Sequence, residues 1–389
     1  MIATKISLVV AVLFTCLQGI GTTQAMPGTS SKSEAELYSP QDFQVFQRQS
    51  RLEGKISIQG HTSKQADRIR VRISGNSLKG ELNPKWTSVN LDKETGDFSG
   101  DIPVTAGGFY SVEVEISAAH KVVADLRVAH VGVGEVFVVS GQSNSTNYGE
   151  VKQKTLTGEV ASFDGNTWRL ANDPQPATQD HSTGGSFVPS FGDALFEKYR
   201  VPIGVVSVGY GGTSVRQWLP AGEHVQEPPM GELAITHMAD GTYVSDGKLF
   251  EGMLAQINRL GIGGFRALLW HQGESDALHE PGHTISPQDY TTIMSLVIRA
   301  SHARAGWSFP WFVAEATYRP DAQSYEPIRE AQRNLWSGGV ALEGPDTDTL
   351  TSKYRDTDGK GVHFNELGLK THGQMWAKDV EAYLDSRLH

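Results

Sequence analysis

An α/β fold, with a doubly wound parallel sheet covered by helices on both faces and preceded by a small all-β sandwich, is the architecture this sequence leads one to expect. The expectation rests on a change of hydropathy rhythm near Gly134 and on strand and helix patterns that alternate beyond it. A length of 389 residues leaves room for two such bodies, since a domain takes roughly 100–200 residues.

The opening stretch MIATKISLVVAVLFTCLQGIGTTQAMPG has one cation at Lys5, an apolar run from Ile6 to Leu17, and the small residues Thr23 and Ala25 flanking Gln24. That is the pattern of a signal peptide over residues 1–25, cleaved after Ala25. The run is short for a membrane span, and no later segment approaches about 18 uncharged apolar residues. The mature chain is therefore expected to be secreted or periplasmic, with no membrane anchor. Cleavage removes Cys16, the single cysteine, so no disulfide is expected. Residues 26–40, including PGTSSKSEAELY, are small and polar and read as a linker.

From 41 to 131 the pattern is of one kind. KISIQG, RIRVRIS, FSGDIPV, FYSVEVEIS and VVADLRVAHV alternate apolar and polar residues between short turn-forming stretches. Period two gives strands with one buried face, and several of them in sequence suggest an immunoglobulin-like sandwich. From 132 to 389 the strands are instead nearly unbroken apolar runs, EVFVVSG, PIGVVSVGY, FRALLWHQG and FPWFVAEA, as burial on both faces requires. Between and after them lie the helical stretches SFGDALFEKYR, KLFEGMLAQINRLG, SPQDYTTIMSLVIRASHARAG and EPIREAQRNLW, with a last helix expected from Asn365 to Leu388.

Ligands of open parallel sheets collect at the carboxyl ends of the strands, so the residues just after each apolar run matter most. There stand Gly141-Gln142-Ser143-Asn144, Gly211-Gly212-Thr213-Ser214, His271-Gln272-Gly273-Glu274-Ser275-Asp276, and the loop from Asp356 to Phe364. Ser143, at a sharp turn after a glycine, has the placement of a nucleophile, and equally that of a helix N-cap. It is not the Gly-x-Ser-x-Gly elbow of lipases, because Ser145 stands where the second glycine belongs. A serine needs an imidazole within reach. Among 13 histidines, His363 in its glycine-rich loop is favoured over His271, which follows a buried strand directly. An oxyanion needs fixed donors, and a Gly211 or Gly212 N–H and the Gln272 amide are available. Each has a structural reading too, as a tight turn or a buried amide bonded to backbone.

Taken in order, the Gly-Gln-Ser-Asn stretch, Gly211-Gly212-Thr213 leading to Trp218, and Trp270-His271-Gln272-Gly273-Glu274-Ser275-Asp276 resemble the sialate O-acetylesterase and family 6 carbohydrate esterase group of the SGNH hydrolase superfamily. The resemblance covers roughly residues 132–380 and implies an SGNH-type three-layer fold. It implies Ser143 as nucleophile and His363 as general base, with an oxyanion hole from the Ser143 and Gly211 N–H groups and Gln272. It also implies an O-acetylated glycan as substrate, with no metal and no cofactor. One departure concerns the carboxylate that orients His363. Relatives carry Asp three residues before the histidine, where this chain has Lys360. Asp358 is slightly preferred, with Glu274 as the alternative. The second departure, Ser145 where relatives often carry Met, changes packing and no chemistry.

Trp168 and Arg169, in the polar stretch 160–176, and Trp218, beyond the Gly-Gly turn, are candidates for sugar contact; each has a core or surface reading as well. Two other functions compete. One is a carbohydrate-binding protein whose hydrolase-like half is inactive. The other is a metal hydrolase using His271, Glu274, Asp276 and His279, against which stands the absence of a His-Glu-x-x-His pattern. With 34 Lys and Arg against 44 Asp and Glu, a formal charge of −10 argues against a nucleic-acid partner. The sequence carries no signal of oligomeric state.

Overall fold

The structure is a computed structural model and describes residues 35–388 apart from 64, 232 and 279. The signal-peptide stretch with Cys16, the linker up to residue 34, and His279 lie outside the described residues.

Period-two patterning sets the strands of the first part. In Glu53–Thr62 and Arg68–Ser74 every second side chain is buried, Ile56 and Ile58 in one, Ile69, Val71 and Ile73 in the other, as a pleated strand with one covered face requires. These strands pair antiparallel with Asp97–Thr105 and Gly107–Ala118, and Thr87–Leu91 bridges the two pairs. Ala35–Ser39 differs from the linker expected there, because it pairs antiparallel with Glu53–Thr62. Its sequence alternates, Ala35 and Leu37 lie against the core, and pairing satisfies backbone groups that a linker leaves to water.

A 21-residue strand, Lys121–Gly141, runs from this antiparallel part into a parallel sheet. The change of rhythm expected at 131–132 falls inside it. Its burial turns from partial to complete at Val131, where covering elements appear on both faces. A buried ion cluster ties the joint: Glu135 accepts from Arg48 Nε and Arg266 Nε, each at 2.7 Å, with Arg48 carried just after the short strand Val45–Gln47.

Across the parallel sheet the order is Trp168–Leu170, Val160–Phe163, Ile203–Ser207, Lys121–Gly141, Ala267–His271, Trp311–Glu315 and Leu342–Asp346, and only Trp168–Leu170 is antiparallel to its neighbour. Phe137 and Val139 pack with Phe191, Leu195, Trp376 and Val380 of the helices Val188–Tyr199 and Glu366–Arg387. Val136 and Val138 point the other way, to Leu249, Met253, Met294 and Ile328 of Lys248–Leu260, Pro287–Ala305 and Glu326–Ser337. The result is helix, sheet and helix in three layers.

The helices start where their caps are. Ser286 accepts from the Asp289 N–H ahead of Pro287, and Asn365 from the Gly368 N–H. From Lys121–Gly141 the chain builds one side of the sheet and then the other. The strand order therefore reverses beside the end of this strand, which is where such sheets hold their ligands. No helix among the described residues is long and apolar enough to cross a membrane.

Candidate active site

Lys121–Gly141 ends on a residue that must be glycine. Gly141 has φ +127°, and a side chain there would collide with the His271 carbonyl of the adjacent strand. The chain then turns through Ser143–Ser145 in a single 3-10 turn, closed by Ser145 N–H to Gln142 O and Thr146 N–H to Ser143 O. Among the described residues the N–H groups of Ser143 and Asn144 meet no protein acceptor, as at any helix start. Ser143 itself is 5% exposed.

The flanking side chains fasten this turn. Gln142 Oε1 accepts from the Ser275 N–H at 3.1 Å and from the Gly273 N–H and Gln272 Nε2 at 3.4 Å. That leaves the Gln142 amide N–H₂ without a partner among the described residues. Asn144 Nδ2 donates to Glu274 Oε1 at 2.9 Å and to the Val362 carbonyl at 3.3 Å. The turn that carries Ser143 is thereby tied to the residue preceding His363.

Arg355 holds the histidine loop. Its buried guanidinium lies between the rings of Tyr318 and Phe364, 3.8 and 4.2 Å from their centroids, and donates to the carbonyls of Leu350, Val362 and Thr347. Next to it the Asp356 N–H donates to His363 O, and Gly361 N–H to Asp356 O. This closure brings the Asp356 carboxylate to 3.6 Å from His363 Nδ1, an ion-pair contact longer than a hydrogen bond. Catalytic contacts of this kind often tighten only once substrate is bound. Burial lowers the His363 pKa below its ordinary value, Asp356 opposes the fall, and Arg355 adds to it.

The carboxylate facing the imidazole is thus Asp356, in place of Asp358 or Glu274. Thr357 and Asp358 both take left-handed backbone angles, φ 53° and 55°, which close the loop and leave Asp358 exposed. Asp356 lies seven residues before the histidine and Asp358 five, so spacing alone favoured Asp358. Glu274 is buried against Asn144, its second oxygen has no hydrogen-bond partner, and burial pushes its carboxyl up to about 7. His271, the competing base, is buried, bonded to Thr347 Oγ1 at 2.9 Å, and pushed down to about 3 by burial, with the Arg355 charge adding to the effect. It stays neutral and packed.

Two of the donors expected for the oxyanion, Gly211 and Gln272, are otherwise engaged. The Gly211 N–H donates to Asp180 Oδ2 at 2.7 Å. Gln272 is fully buried, and its Nε2 donates to Asp276 Oδ2 at 2.6 Å and Thr213 O at 3.0 Å. Among the described residues, the donors left unpaired here are the Ser143 N–H, the Gly212 N–H and the Gln142 amide. Trp168, a candidate for sugar contact, is buried. It stacks on Phe163 at 5.0 Å in the core, in the hairpin Val160–Leu170, while Arg169 is exposed and bonded to the Pro174 carbonyl. Trp218 is buried too, its indole N–H on Thr213 Oγ1 at 3.0 Å and its ring against Trp270. It supports the Gly-Gly turn from beneath.

Asp276 is spent on Gln272, Ser214 and the Val215 N–H, and Glu274 on Asn144. Among the described residues no three His, Cys, Asp or Glu side chains form a group able to hold a metal ion. Tyr148 also went unnoticed in the sequence: its ring lies beside His363, with centroids 5.0 Å apart. No periodic pattern marks a single exposed aromatic five residues after a serine.

Comparison with known proteins gives a family and a fold. The model of the family described as carbohydrate esterase, sialic acid-specific acetylesterase, matches residues 133–382. A carbohydrate acetylesterase from Xanthomonas citri has a similar structure, with a TM-score of 0.55 at 17% identity over 91% of this chain and 76% of that one. A protein from Arabidopsis thaliana aligns with a TM-score of 0.46 at 20% identity, over 65% of this chain and 98% of its own. No curated protein matches in sequence.

Proposed function

The chain belongs to the sialic acid-specific acetylesterase family of carbohydrate esterases, a carbohydrate O-acetylesterase, and from that premise we propose that it acts through an acyl-enzyme formed on Ser143. His363 takes the Ser143 proton as the hydroxyl attacks the acetyl carbonyl, and Asp356 stabilises the imidazolium that results. The oxyanion is met by the Ser143 N–H, with the Gly212 N–H and the Gln142 amide as the further donors. His363 then protonates the departing sugar oxygen, and water activated by the same imidazole releases acetate and restores Ser143. The leader-like residues 1–25 support export to the periplasm or the medium, where acetylated glycans are met. The antiparallel strands before residue 131 act as a support packed against the catalytic part.

One observation carries this reading. The Asn144 amide joins the serine turn to the histidine loop, at the strand end where the sheet order reverses. Acetate release from acetylated xylan and from O-acetylated sialosides, by wild type, Ser143→Ala and His363→Ala, tests it and ranks the two glycans. Both variants should lose at least about 10³-fold in kcat/KM. Variants as fast as wild type would end the assignment, and glycan binding with no acetate release would point to an inactive binding protein.

A further inference from the structure

Tyr148 has two neighbours at the site and is still in part exposed. It is 40% exposed. One neighbour is the His363 ring, centroid to centroid 5.0 Å and inclined by 34°. Gly211 is the second neighbour, and a Cβ there would meet the Tyr148 ring carbons at 2.7 Å and its hydroxyl at 2.8 Å. The first position of the Gly-Gly turn is therefore glycine for a steric reason, because a side chain there would occupy the space this ring fills. The backbone on either side of Tyr148 is anchored. The Asn147 amide donates to the carbonyls of Gln175 and Ser182 at 2.9 and 3.0 Å, and Gly149 is bridged to Gly185. A ring so held loses little freedom when a ligand covers it.

We infer that Tyr148 is the platform for the sugar: its exposed ring surface receives the apolar CH face of the pyranose that carries the acetyl group. The inference rests on the proposed esterase mechanism. In that mechanism the alcohol oxygen leaves next to His363, which protonates it, whereas the carbonyl oxygen turns toward the Ser143 N–H. The sugar is thus on the His363 side of the tetrahedral carbon, and a ring packed beside His363 flanks the sugar. A phenol suits a pyranose because both combine an apolar face with polar edges. Tyr148 touches substrate in this role and exchanges no proton with it.

Two acetyl esters separate this role from simple support of His363. Ethyl acetate releases an alcohol with no ring to stack, whereas a mono-O-acetylated methyl xylopyranoside releases a pyranose. Tyr148→Ala should lose about tenfold more in kcat/KM on the xyloside than on ethyl acetate, mostly through KM, and be rescued on the xyloside by Tyr148→Phe. Equal losses on both esters, or no loss on the xyloside, would overturn the inference. A second measurement needs no turnover: titration of the acetylated xyloside into Ser143→Ala, followed by NMR, against Ser143→Ala/Tyr148→Ala. Weaker binding by the double variant supports the platform even if the esterase mechanism itself fails, and equal binding removes it.

Discussion

Replacing Asp356 by Asn tests the assignment on which the mechanism turns. The substitution keeps the shape of the side chain and removes its charge, 3.6 Å from His363 Nδ1. At that separation an imidazolium and a carboxylate attract by roughly 4–5 kcal/mol at an effective dielectric of about 20. The two side chains are 23% and 18% exposed, so water screens part of this, and about half remains, ~2 kcal/mol or ~30-fold in rate. The pH profile carries a second signature. His363 must be neutral to act as a base, and burial has already lowered its pKa with Asp356 opposing. Wild type should therefore gain activity with rising pH through a midpoint below the ordinary histidine value, and the Asn variant through a lower one still. The assay is kcat/KM for p-nitrophenyl acetate against pH, with exposed Asp358→Asn as control. The reasoning is refuted if the Asp358 variant falls as far as the Asp356 variant, or if the acid limb of the Asp356 variant moves upward.

Glu274 and Glu135 yield predictions of opposite kind. Burial pushes the Glu274 carboxyl from 4.5 to about 7. A group whose pKa is raised by folding contributes stability that is complete below its unfolded value and lost as pH climbs through the folded one. Glu274→Gln should accordingly gain on wild type by about 2–3 kcal/mol between pH 5 and pH 8; parallel urea midpoints at the two pH values would contradict this. Glu135→Gln instead leaves the Arg48 and Arg266 guanidiniums at the joint short of their counter-charge. It should cost about 3–5 kcal/mol in urea unfolding, and a change below about 1 kcal/mol would show that the cluster is not needed.

Much of this protein is written in short stretches of chain. Alternation in RIRVRIS, the apolar run EVFVVSG, and Asn365 ahead of the last helix each specify an element through periodicity or a cap, and these elements stand where the sequence places them. Ser143 and His363 stand out as candidates for the same reason, since each lies close to the end of such an element. Local signals could not say which partner each polar group would choose. Asp180 takes the Gly211 N–H from 31 residues away, Asp276 and Thr213 take the Gln272 amide, and a left-handed pair at 357–358 turns Asp358 outward while Asp356 faces the imidazole. Trp168, polar in its neighbours, is drawn into the core beside Phe163. A residue's period and propensity belong to its neighbours in sequence. Its hydrogen-bond partner is decided by competition among groups that only the folded chain brings within 3 Å of one another.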